Sequence, residues 1–299
     1  MTAQPVGFIG LGNMGGRMCR CLVAAEHEVV GFDPETDRVI AAGAEALGSP
    51  SEVTSQVDVV LLSLPDSRVV ERVIRGDDGV LGAVRAGQVV VDLSTASPTS
   101  TVALQAELAE RGADYLDAGI SGGAAAAEKG ALTLMTGGSA SALERVRPIL
   151  DVFSARIFHM GESGSGHIAK LLNNFLNAVS LSATAEVMVA AKKAGLELHT
   201  FLDVLNASSG VNYATLNRFP KIVDGDYLEG GLTSNLMMKD LLLYMDFVHH
   251  VGTPSINAAG SVASFGLAAQ LGYGDQISNR VVDALGDLAG GIRLHDPSN

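Results

Sequence analysis

Hydrophobic and polar positions follow two different patterns along the chain. From Val6 to about Gly161, short runs of consecutive apolar residues, many of them β-branched, alternate with amphipathic or alanine-rich stretches. Consecutive apolar positions are typical of strands covered on both faces, and their alternation with helical stretches predicts a parallel sheet with crossover helices. Strands are expected at 6–9, 28–33, 57–64, 88–94, 113–119, 132–138 and 155–160.

After Gly161 the β-branched runs become rare, and Leu/Ala/Met-rich stretches at helical spacing continue to about Leu288. This pattern predicts an all-α region that begins without a low-complexity linker. We therefore expect an α/β domain over residues 1–162 and an all-helical domain over residues 163–299. Helices are expected at 166–194, 197–207, 234–251 and 254–271.

Composition narrows the class of ligand. A chain of 299 residues with 47% hydrophobic content can bury two cores, and its formal net charge of −13 opposes binding to nucleic acid or to an anionic membrane surface. Segment 171–191 is the most membrane-like, but its three asparagines and Glu186 would be costly in lipid, so a core helix is expected. A small molecule is the expected partner.

The two cysteines, Cys19 and Cys21, lie two positions apart in a predicted helix and cannot pair with each other. A disulfide framework within one chain is therefore not expected. The first residues lack the basic region and long apolar stretch of a signal peptide, and together these features favour a cytoplasmic protein. The histidines are scattered without the spacing of metal ligands, so no metal site is expected.

The stretch "GFIGLGNMGG" at 7–16 carries the clearest motif. Gly10, Gly12 and Gly15 form G-x-G-x-x-G between an apolar run and a helical stretch, the order found where a dinucleotide binds. In that setting the first glycine allows a tight turn, the second lets the backbone approach a pyrophosphate, and the third lets helix and strand pack closely. Asn13 and Met14 complete the turn and are expected to contact the same cofactor.

Asp33 ends the second predicted strand, 18 residues after Gly15. A carboxylate there accepts hydrogen bonds from the adenosine ribose and repels a 2′-phosphate, so NAD is favoured over NADP. Arg38, one helical turn further on, keeps NADP possible. The alternative is a glycine-rich turn followed by a solvated strand end.

Two later strand ends should face the same cofactor, because ligands of open α/β sheets bind beyond the carboxyl ends of the strands. "LPD" at 64–66 places Leu64 and Pro65 there, and "LST" at 93–95 offers the hydroxyl of Ser94 or Thr95 near the nicotinamide. The alternative is that these are ordinary loop residues.

In "GSGHIAKLLNN", at 164–174, Gly164 and Gly166 open a helix on which Lys170 and Asn174 share a face. Apolar neighbours would desolvate the lysine and lower its pKa toward neutrality, which suits proton transfer. The alternative is a lysine that extends to the surface. His167 is either a second candidate for the proton carrier or a histidine of the helix surface or substrate pocket.

The chain resembles the β-hydroxyacid dehydrogenase family over nearly its whole length. The resemblance rests on four blocks of sequence: "GFIGLGNMG", "DAGISGG…MTGG" at 117–138, "GSGHIAKLLNN" and "LMMKDLLL" at 236–243. It implies a Rossmann-like α/β domain joined by a long helix to the all-α domain. It also implies homodimers or homotetramers built through the helical part.

The resemblance also implies roles for individual residues. Ser121, Gly122 and Gly123 match the segment that holds the substrate carboxylate. Lys170 matches the general acid/base, Asn174 orients substrate beside it, and Thr95 and Lys239 match positions that line cofactor and substrate.

One departure from the family pattern concerns Gly119, which stands where relatives usually carry proline. Another is the run "AAAA" at 124–127. Small residues here either widen the pocket or loosen the loop.

The reaction that these features imply is NAD-dependent oxidation of the hydroxyl of a small 3-hydroxy acid to its semialdehyde or ketone. The default substrate is 3-hydroxyisobutyrate. One alternative is an NAD(P)H-dependent reductase of tartronate, glyoxylate or succinate semialdehyde. Another, of a different class, is a dinucleotide-binding sensor without turnover.

Overall fold

Eight β-strands form one sheet in the computed structural model, which describes residues 5–295. The spatial order is β3-β2-β1-β4-β5-β6-β7-β8. The strands are β1 (Val6–Ile9), β2 (Val29–Phe32), β3 (Glu45–Ala46), β4 (Val59–Leu62), β5 (Val89–Asp92), β6 (Asp114–Ser121), β7 (Leu132–Gly137) and β8 (Ser154–Gly161). The two-residue strand β3 was not predicted, since so short a strand leaves no periodic signal.

The sheet is parallel except at one pair, β6 and β7, which run antiparallel. The predicted parallel sheet is confirmed at the other pairs, and only this pair departs from it. A parallel crossover needs a dozen or more residues, whereas only residues 122–131 separate these two strands. The chain must reverse direction there, and β6 is left with a parallel neighbour on one side and an antiparallel one on the other.

The helices before residue 161 pack on the two faces of the sheet, and a separate apolar cluster fills the space beneath each set. This is the predicted Rossmann-like arrangement. The helices are α1 (Gly15–Ala24), α2 (Thr36–Ala41), α3 (Pro50–Gln56), α4 (Ser67–Arg75), α5 (Val80–Ala83), α6 (Pro98–Ala109), α7 (Gly123–Glu128) and α8 (Ala140–Leu150).

From residue 165 onward the described elements are helical, as the sequence pattern predicts. The α-helices are α9 (Ser165–Lys193), α10 (Leu198–Asn206), α11 (Tyr213–Asn217), α12 (Phe219–Ile222), α13 (Ser234–His250), α14 (Ala258–Ala268) and α15 (Val281–Leu288). A π-helical turn, Ala269–Tyr273, and a short 3-10 turn, Ser278–Arg280, complete the set. The helix expected at 254–271 is shorter than predicted, because it begins only at Ala258 and passes into the π-helical turn.

The chain divides into two compact units, residues 1–170 and 171–299, and α9 crosses this boundary. The second unit has its own apolar core, built around buried residues such as Leu181, Phe219 and Phe265. Within it, the rings of Phe175 and Tyr244 stack with their centroids 3.9 Å apart. Across residues 5–295, every helix is too short or too polar to span a bilayer.

Candidate active site

The carboxyl ends of the parallel strands β1, β2, β4 and β5 are aligned at one edge of the sheet. Hydrogen bonds continue just past the strands, from Gly10 N to Phe32 O (2.9 Å), from Ser63 N to Ile9 O (3.0 Å) and from Leu93 N to Leu62 O (2.8 Å). The strand order reverses at β1, which lies between β2 and β4. Ligands of open α/β sheets bind outside the carboxyl ends of the strands at such a reversal.

The glycine-rich turn occupies this edge between β1 and α1. Gly10 has φ +88°, and a Cβ there would lie 2.4 Å from the carbonyl oxygen of Ser63. A Cβ at Gly15 would lie 2.0 Å from the carbonyl oxygen of Gly10, so the helix and the turn touch through their backbones. Gly12 faces open space, with nothing within 4 Å of its Cβ position. The turn thus leaves backbone accessible in front of the N-terminus of α1, which suits a pyrophosphate.

Asp33 follows β2 directly and is buried, with 7% of its surface exposed. Its Oδ2 accepts a hydrogen bond from Leu11 N and its Oδ1 one from Glu35 N, each of 2.9 Å. The guanidinium of Arg38 approaches Oδ1 to 3.7 Å. Asp33 is therefore built into the turn rather than being a solvated strand end, and each carboxylate oxygen keeps a lone pair for a ribose hydroxyl.

A cavity of about 300 Å³ opens beside this turn. Three of its lining residues are the arginines Arg17, Arg20 and Arg38. Arg17 bonds the Asn13 carbonyl at 2.6 Å and pairs with Glu128 at 2.8 Å. Of these three, only Arg38 was predicted from the sequence, although the spacing of three between Arg17 and Arg20 on α1 already puts them on one helix face.

At the ends of β4 and β5, the two predicted cofactor loops are joined by a hydrogen bond. The Ser94 hydroxyl accepts a 2.9 Å bond from Leu64 N, and Ser94 N donates a 2.9 Å bond to Asp92 Oδ1. Ser94 is buried by these contacts, whereas the next residue, Thr95, is half-buried and Pro65 is exposed. Of the two hydroxyls considered in the sequence, that of Thr95 is the more accessible.

Lys170 lies on the second turn of α9, and its stem packs against β6. A Cβ built at Gly119 would lie 2.5 Å from Lys170 Cβ and 3.0 Å from its Cγ. Ser121 lies two residues further along the same strand and is half-buried. The next two residues, Gly122 and Gly123, are exposed and have φ of +130° and +70°. Lys170 therefore packs against β6, the strand that ends at Ser121, the first residue of the predicted substrate segment.

Asp117, also on β6, holds the beginning of α9. Its buried carboxylate accepts hydrogen bonds from Gly164 N at 2.7 Å and His167 N at 2.8 Å. It thus acts as an N-cap supplied by a distant strand, and its negative charge lies at the positive end of the helix dipole. This role of Asp117 is not predictable from the sequence, because a cap contributed from 47 positions away leaves no local signal.

His167 is fully buried, so the interpretation of a helix-surface histidine is wrong. Its Nδ1 lies 2.7 Å from the Thr101 hydroxyl, which also lies 3.0 Å from the Ser97 carbonyl. Which of the two groups donates in the bond between Nδ1 and this hydroxyl depends on the tautomer of the imidazole ring. Its Nε2 lies 4.0 Å from Asp92 Oδ2. With both ring nitrogens enclosed, His167 is poorly placed to exchange protons with a substrate.

In the second unit, Asn174 and Lys239 are connected through Asp240. The Asn174 side-chain amide donates to Asp240 Oδ2 at 2.5 Å, and Lys239 Nζ lies 3.0 Å from Asp240 Oδ1. Asn174 and Asp240 are both buried, and the Lys239 side chain is 23% exposed. In the sequence, Asp240 stands out only as part of the block at 236–243, with no role of its own. The signal that was available is a carboxylate within an otherwise apolar helical stretch.

Two family models match successive parts of the chain. The model of the NAD-binding domain of 6-phosphogluconate dehydrogenase matches residues 5–161. The model described as the NAD-binding domain of NADP-dependent 3-hydroxyisobutyrate dehydrogenase matches residues 164–285. Among characterised proteins, 2-(hydroxymethyl)glutarate dehydrogenase of Eubacterium barkeri is 35% identical over 95% of this chain and 96% of its own length. The chain belongs to the β-hydroxyacid dehydrogenase family.

Other members of the β-hydroxyacid dehydrogenase family are similarly close. The NAD-dependent L-serine dehydrogenase of Pseudomonas aeruginosa is 36% identical over 91% of this chain and 95% of its own length. The solved structure of Mycobacterium tuberculosis 3-hydroxyisobutyrate dehydrogenase with L-serine superposes with a TM-score of 0.86 at 33% identity, covering 95% of this chain and 99% of that one. The family to which the chain belongs consists of NAD-dependent hydroxyacid dehydrogenases, and NAD or NADP is the cofactor of this chain.

Proposed function

We propose that this dehydrogenase uses NAD to oxidise the hydroxyl of a small 3-hydroxy acid, with Lys170 as the general acid/base. 3-Hydroxyisobutyrate is the first substrate to test, followed by L-serine and 2-(hydroxymethyl)glutarate, which the names of relatives indicate. The observation that carries the proposal is the packing of Lys170 against Gly119, on the strand that ends at Ser121. It supports a proton carrier next to the segment that would hold the acid.

The first part of the proposed mechanism is anchoring of the substrate carboxylate. Ser121 offers a hydroxyl, and the two glycines after it offer backbone N–H groups in consecutive left-handed conformations. Because the protein carries a net charge of −13, an acid anion needs such local donors to offset the repulsive field. Anchoring would also orient the hydroxyl toward Lys170.

The second part is proton transfer. Bound NAD supplies the acceptor for the hydride that leaves the carbinol carbon. The hydroxyl must lose its proton in the same conversion, and the neutral Lys170 amine accepts it, leaving a carbonyl product and an ammonium. In the reverse direction the ammonium returns this proton to the oxygen that forms from the carbonyl.

The third part assigns Asn174 and Lys239 to binding rather than to proton transfer. Asp240 bonds both side chains and would fix their donors in one orientation. We propose that the Asn174 amide orients the substrate and that the Lys239 ammonium, together with Thr95, lines the cofactor and substrate.

For the cofactor we propose NAD over NADP. The support is the buried charge of Asp33 at the ribose position. The three arginines of the neighbouring cavity favour some acceptance of a 2′-phosphate, so NADP is the second candidate.

Initial-rate measurements test the proposal directly. Reduction of NAD and of NADP would be followed by fluorescence across a panel of 3-hydroxy acids, and oxidation of NADH and NADPH across tartronate, glyoxylate and succinate semialdehydes. Preference for NAD with a 3-hydroxy acid is expected. Higher kcat/KM with NADPH and a semialdehyde would favour the reductase, and binding of NAD without turnover of any compound would favour the sensor.

We also propose that the helical unit assembles into a homodimer or homotetramer. Leu176 and Leu242 expose 67% and 49% of their surfaces, which supports burial of this unit against a second copy. Sedimentation equilibrium of the purified protein tests this, and a monomer at micromolar concentration would contradict it.

A further inference from the structure

Arg218 lies directly after α11, is half-buried and is held by two asparagine side chains. Its Nη1 donates a 2.8 Å hydrogen bond to Asn279 Oδ1, and its Nη2 donates a 2.9 Å bond to Asn177 Oδ1. Asn279 is buried, and its own NH₂ group donates to the Tyr227 carbonyl at 2.8 Å, so its amide oxygen is directed toward Arg218. The guanidinium is therefore fixed in one orientation by neutral oxygens.

The positive charge of Arg218 is not compensated by a carboxylate. Within residues 5–295 its partners are the two amide oxygens and the Tyr213 ring, whose centroid lies 5.8 Å from the guanidinium carbon. By contrast, Arg280 and Arg293, the other two arginines of the helical unit, approach Asp283 to 3.0 and 3.8 Å. Burial lowers the pKa of the Arg218 guanidinium, but such a group stays protonated in proteins. An anion bound here would offset the cost of burying this charge.

Arg218 is connected to the residue that is proposed to orient the substrate. Asn177, its hydrogen-bond partner, lies three positions after Asn174 on α9, so the two asparagine side chains project from the same side of the helix. The guanidinium that bonds Asn177 thus lies one helical turn beyond the amide of Asn174. A group attached to the hydroxy acid could extend from one to the other.

We propose that Arg218 binds a second carboxylate of the substrate, so that the preferred 3-hydroxy acid is a dicarboxylate. The inference rests on the proposed oxidation of a 3-hydroxy acid and on the proposed role of Asn174. Each terminal nitrogen of Arg218 uses one N–H, which leaves the other N–H of each and that of Nε for a carboxylate. Because the protein has a net charge of −13, a dianion needs a local cation more than a monoanion does.

The three candidate substrates differ in a single substituent and therefore report on Arg218. Each carries a hydroxymethyl group and a carboxylate on one carbon. The third substituent is methyl in 3-hydroxyisobutyrate, ammonium in L-serine and carboxyethyl in 2-(hydroxymethyl)glutarate. Arg218 would repel the ammonium and pair with the second carboxylate. Among the three, kcat/KM of the wild type should be highest with 2-(hydroxymethyl)glutarate and lowest with L-serine, and a highest value with L-serine would overturn the proposal.

The variant Arg218→Gln tests the assignment. The ratio of kcat/KM for 2-(hydroxymethyl)glutarate over 3-hydroxyisobutyrate should fall at least about tenfold, because a charge-assisted pair is lost. Both substrates are measured on one preparation, so a partial loss of folded protein cancels in this ratio. Arg218→Lys keeps the charge and should restore part of the preference. Equal ratios in wild type and Arg218→Gln would overturn the proposal.

The matched control is Lys221→Gln, which removes an equal charge from an exposed side chain three residues away. It should leave the ratio within twofold of the wild type. A loss of preference as large as that in Arg218→Gln would assign the effect to the overall field and refute a site at Arg218.

A readout without turnover keeps this test separate from that of the proposed function. Calorimetry of the NAD complex would compare glutarate with its monoamide, which has nearly the same shape but lacks the second charge. Glutarate should bind at least about tenfold more tightly to wild type and to Lys221→Gln, and this preference should disappear in Arg218→Gln. If wild type oxidised no 3-hydroxy acid, the proposed function would fail while this titration still tested Arg218. Equal affinities for both compounds in wild type, or a preference retained in Arg218→Gln, would refute the site.

Discussion

The carboxylate of Asp33 accepts a hydrogen bond from the backbone N–H of Leu11, across 2.9 Å. This bond ties the end of β2 to the glycine-rich turn, so one side chain both shapes the turn and presents a negative charge at its rim. Asparagine removes the charge and its amide oxygen can still accept the Leu11 bond, but its NH₂ group then faces the backbone N–H of Glu35, which now donates to Oδ1, so some stability is lost as well.

Asp33→Asn should therefore weaken NAD binding and admit NADP. We expect the ratio of kcat/KM for NAD over NADP to fall at least tenfold, since a charge that repels the 2′-phosphate is lost. Steady-state kinetics with both cofactors measure this ratio, and Asp37→Asn in the neighbouring helix is the control. Adding Arg38→Ala should cancel the gain with NADP. A wild-type enzyme that already prefers NADP would contradict the role given to Asp33.

Lys170→Ala should lower kcat by at least about a hundredfold and leave the dissociation constant of NAD nearly unchanged, the pattern expected for loss of a general acid/base. In the wild type, oxidation needs the neutral amine and should slow as pH falls. Reduction needs the ammonium and should slow as pH rises. The control is Lys221→Ala, which removes an exposed lysine. A fall of less than fivefold would move the proton transfer to another group.

Asp117→Asn should destabilise the protein, because the asparagine NH₂ would face one of the two backbone N–H groups that now donate hydrogen bonds to the carboxylate. A buried donor without a partner costs about 1–3 kcal/mol of the free energy of unfolding. Asp114 stands on the same strand but forms an exposed ion pair with Arg145, so Asp114→Asn should cost about 1 kcal/mol or less. Urea unfolding of both variants measures the difference, and equal losses would refute the capping role.

Asn174→Ala should raise the KM for the hydroxy acid and lower the free energy of unfolding by about 1–3 kcal/mol, because the buried Asp240 carboxylate loses its amide donor. The adjacent, exposed Asn173 provides the control through Asn173→Ala. Kinetics and urea unfolding are both needed. If stability fell and KM did not change, Asn174 would hold the helices together without orienting substrate.

The two cysteines should differ strongly in reactivity. Burial raises the pKa of the Cys19 thiol to about 12, so at pH 8 it holds roughly a thousandfold less thiolate than an ordinary thiol. Cys21 is only half-buried. Iodoacetamide should modify Cys21 first in the native protein, and peptide mass spectrometry would locate the label. Modification of Cys19 at a rate equal to that of Cys21 would show that the buried site opens easily.

Local signals account for most of what the sequence predicts. Gly10, Gly12 and Gly15 lie within six residues of one another. The strand ends at Asp33 and Leu64 each follow an apolar run that can be recognised without reference to the rest of the chain. What escaped prediction depends on contacts between distant segments. The cap from Asp117 to α9, the burial of His167 beneath Thr101 and the fit of Gly119 to Lys170 all join residues more than 45 positions apart. Periodicity carries no information about such pairs.

The reversal of direction between β6 and β7 also bears on the order in which the sheet assembles. Ten residues, 122–131, separate these strands, whereas residues 10–58 lie between β1 and its partner β4. Closing the longer loop sacrifices more chain entropy before any contact is gained, so nonlocal pairing is slow. We therefore expect the antiparallel pair to form early and the β1–β4 pair late. A nascent or partly unfolded chain would then acquire its affinity for dinucleotide only at the final stage of folding.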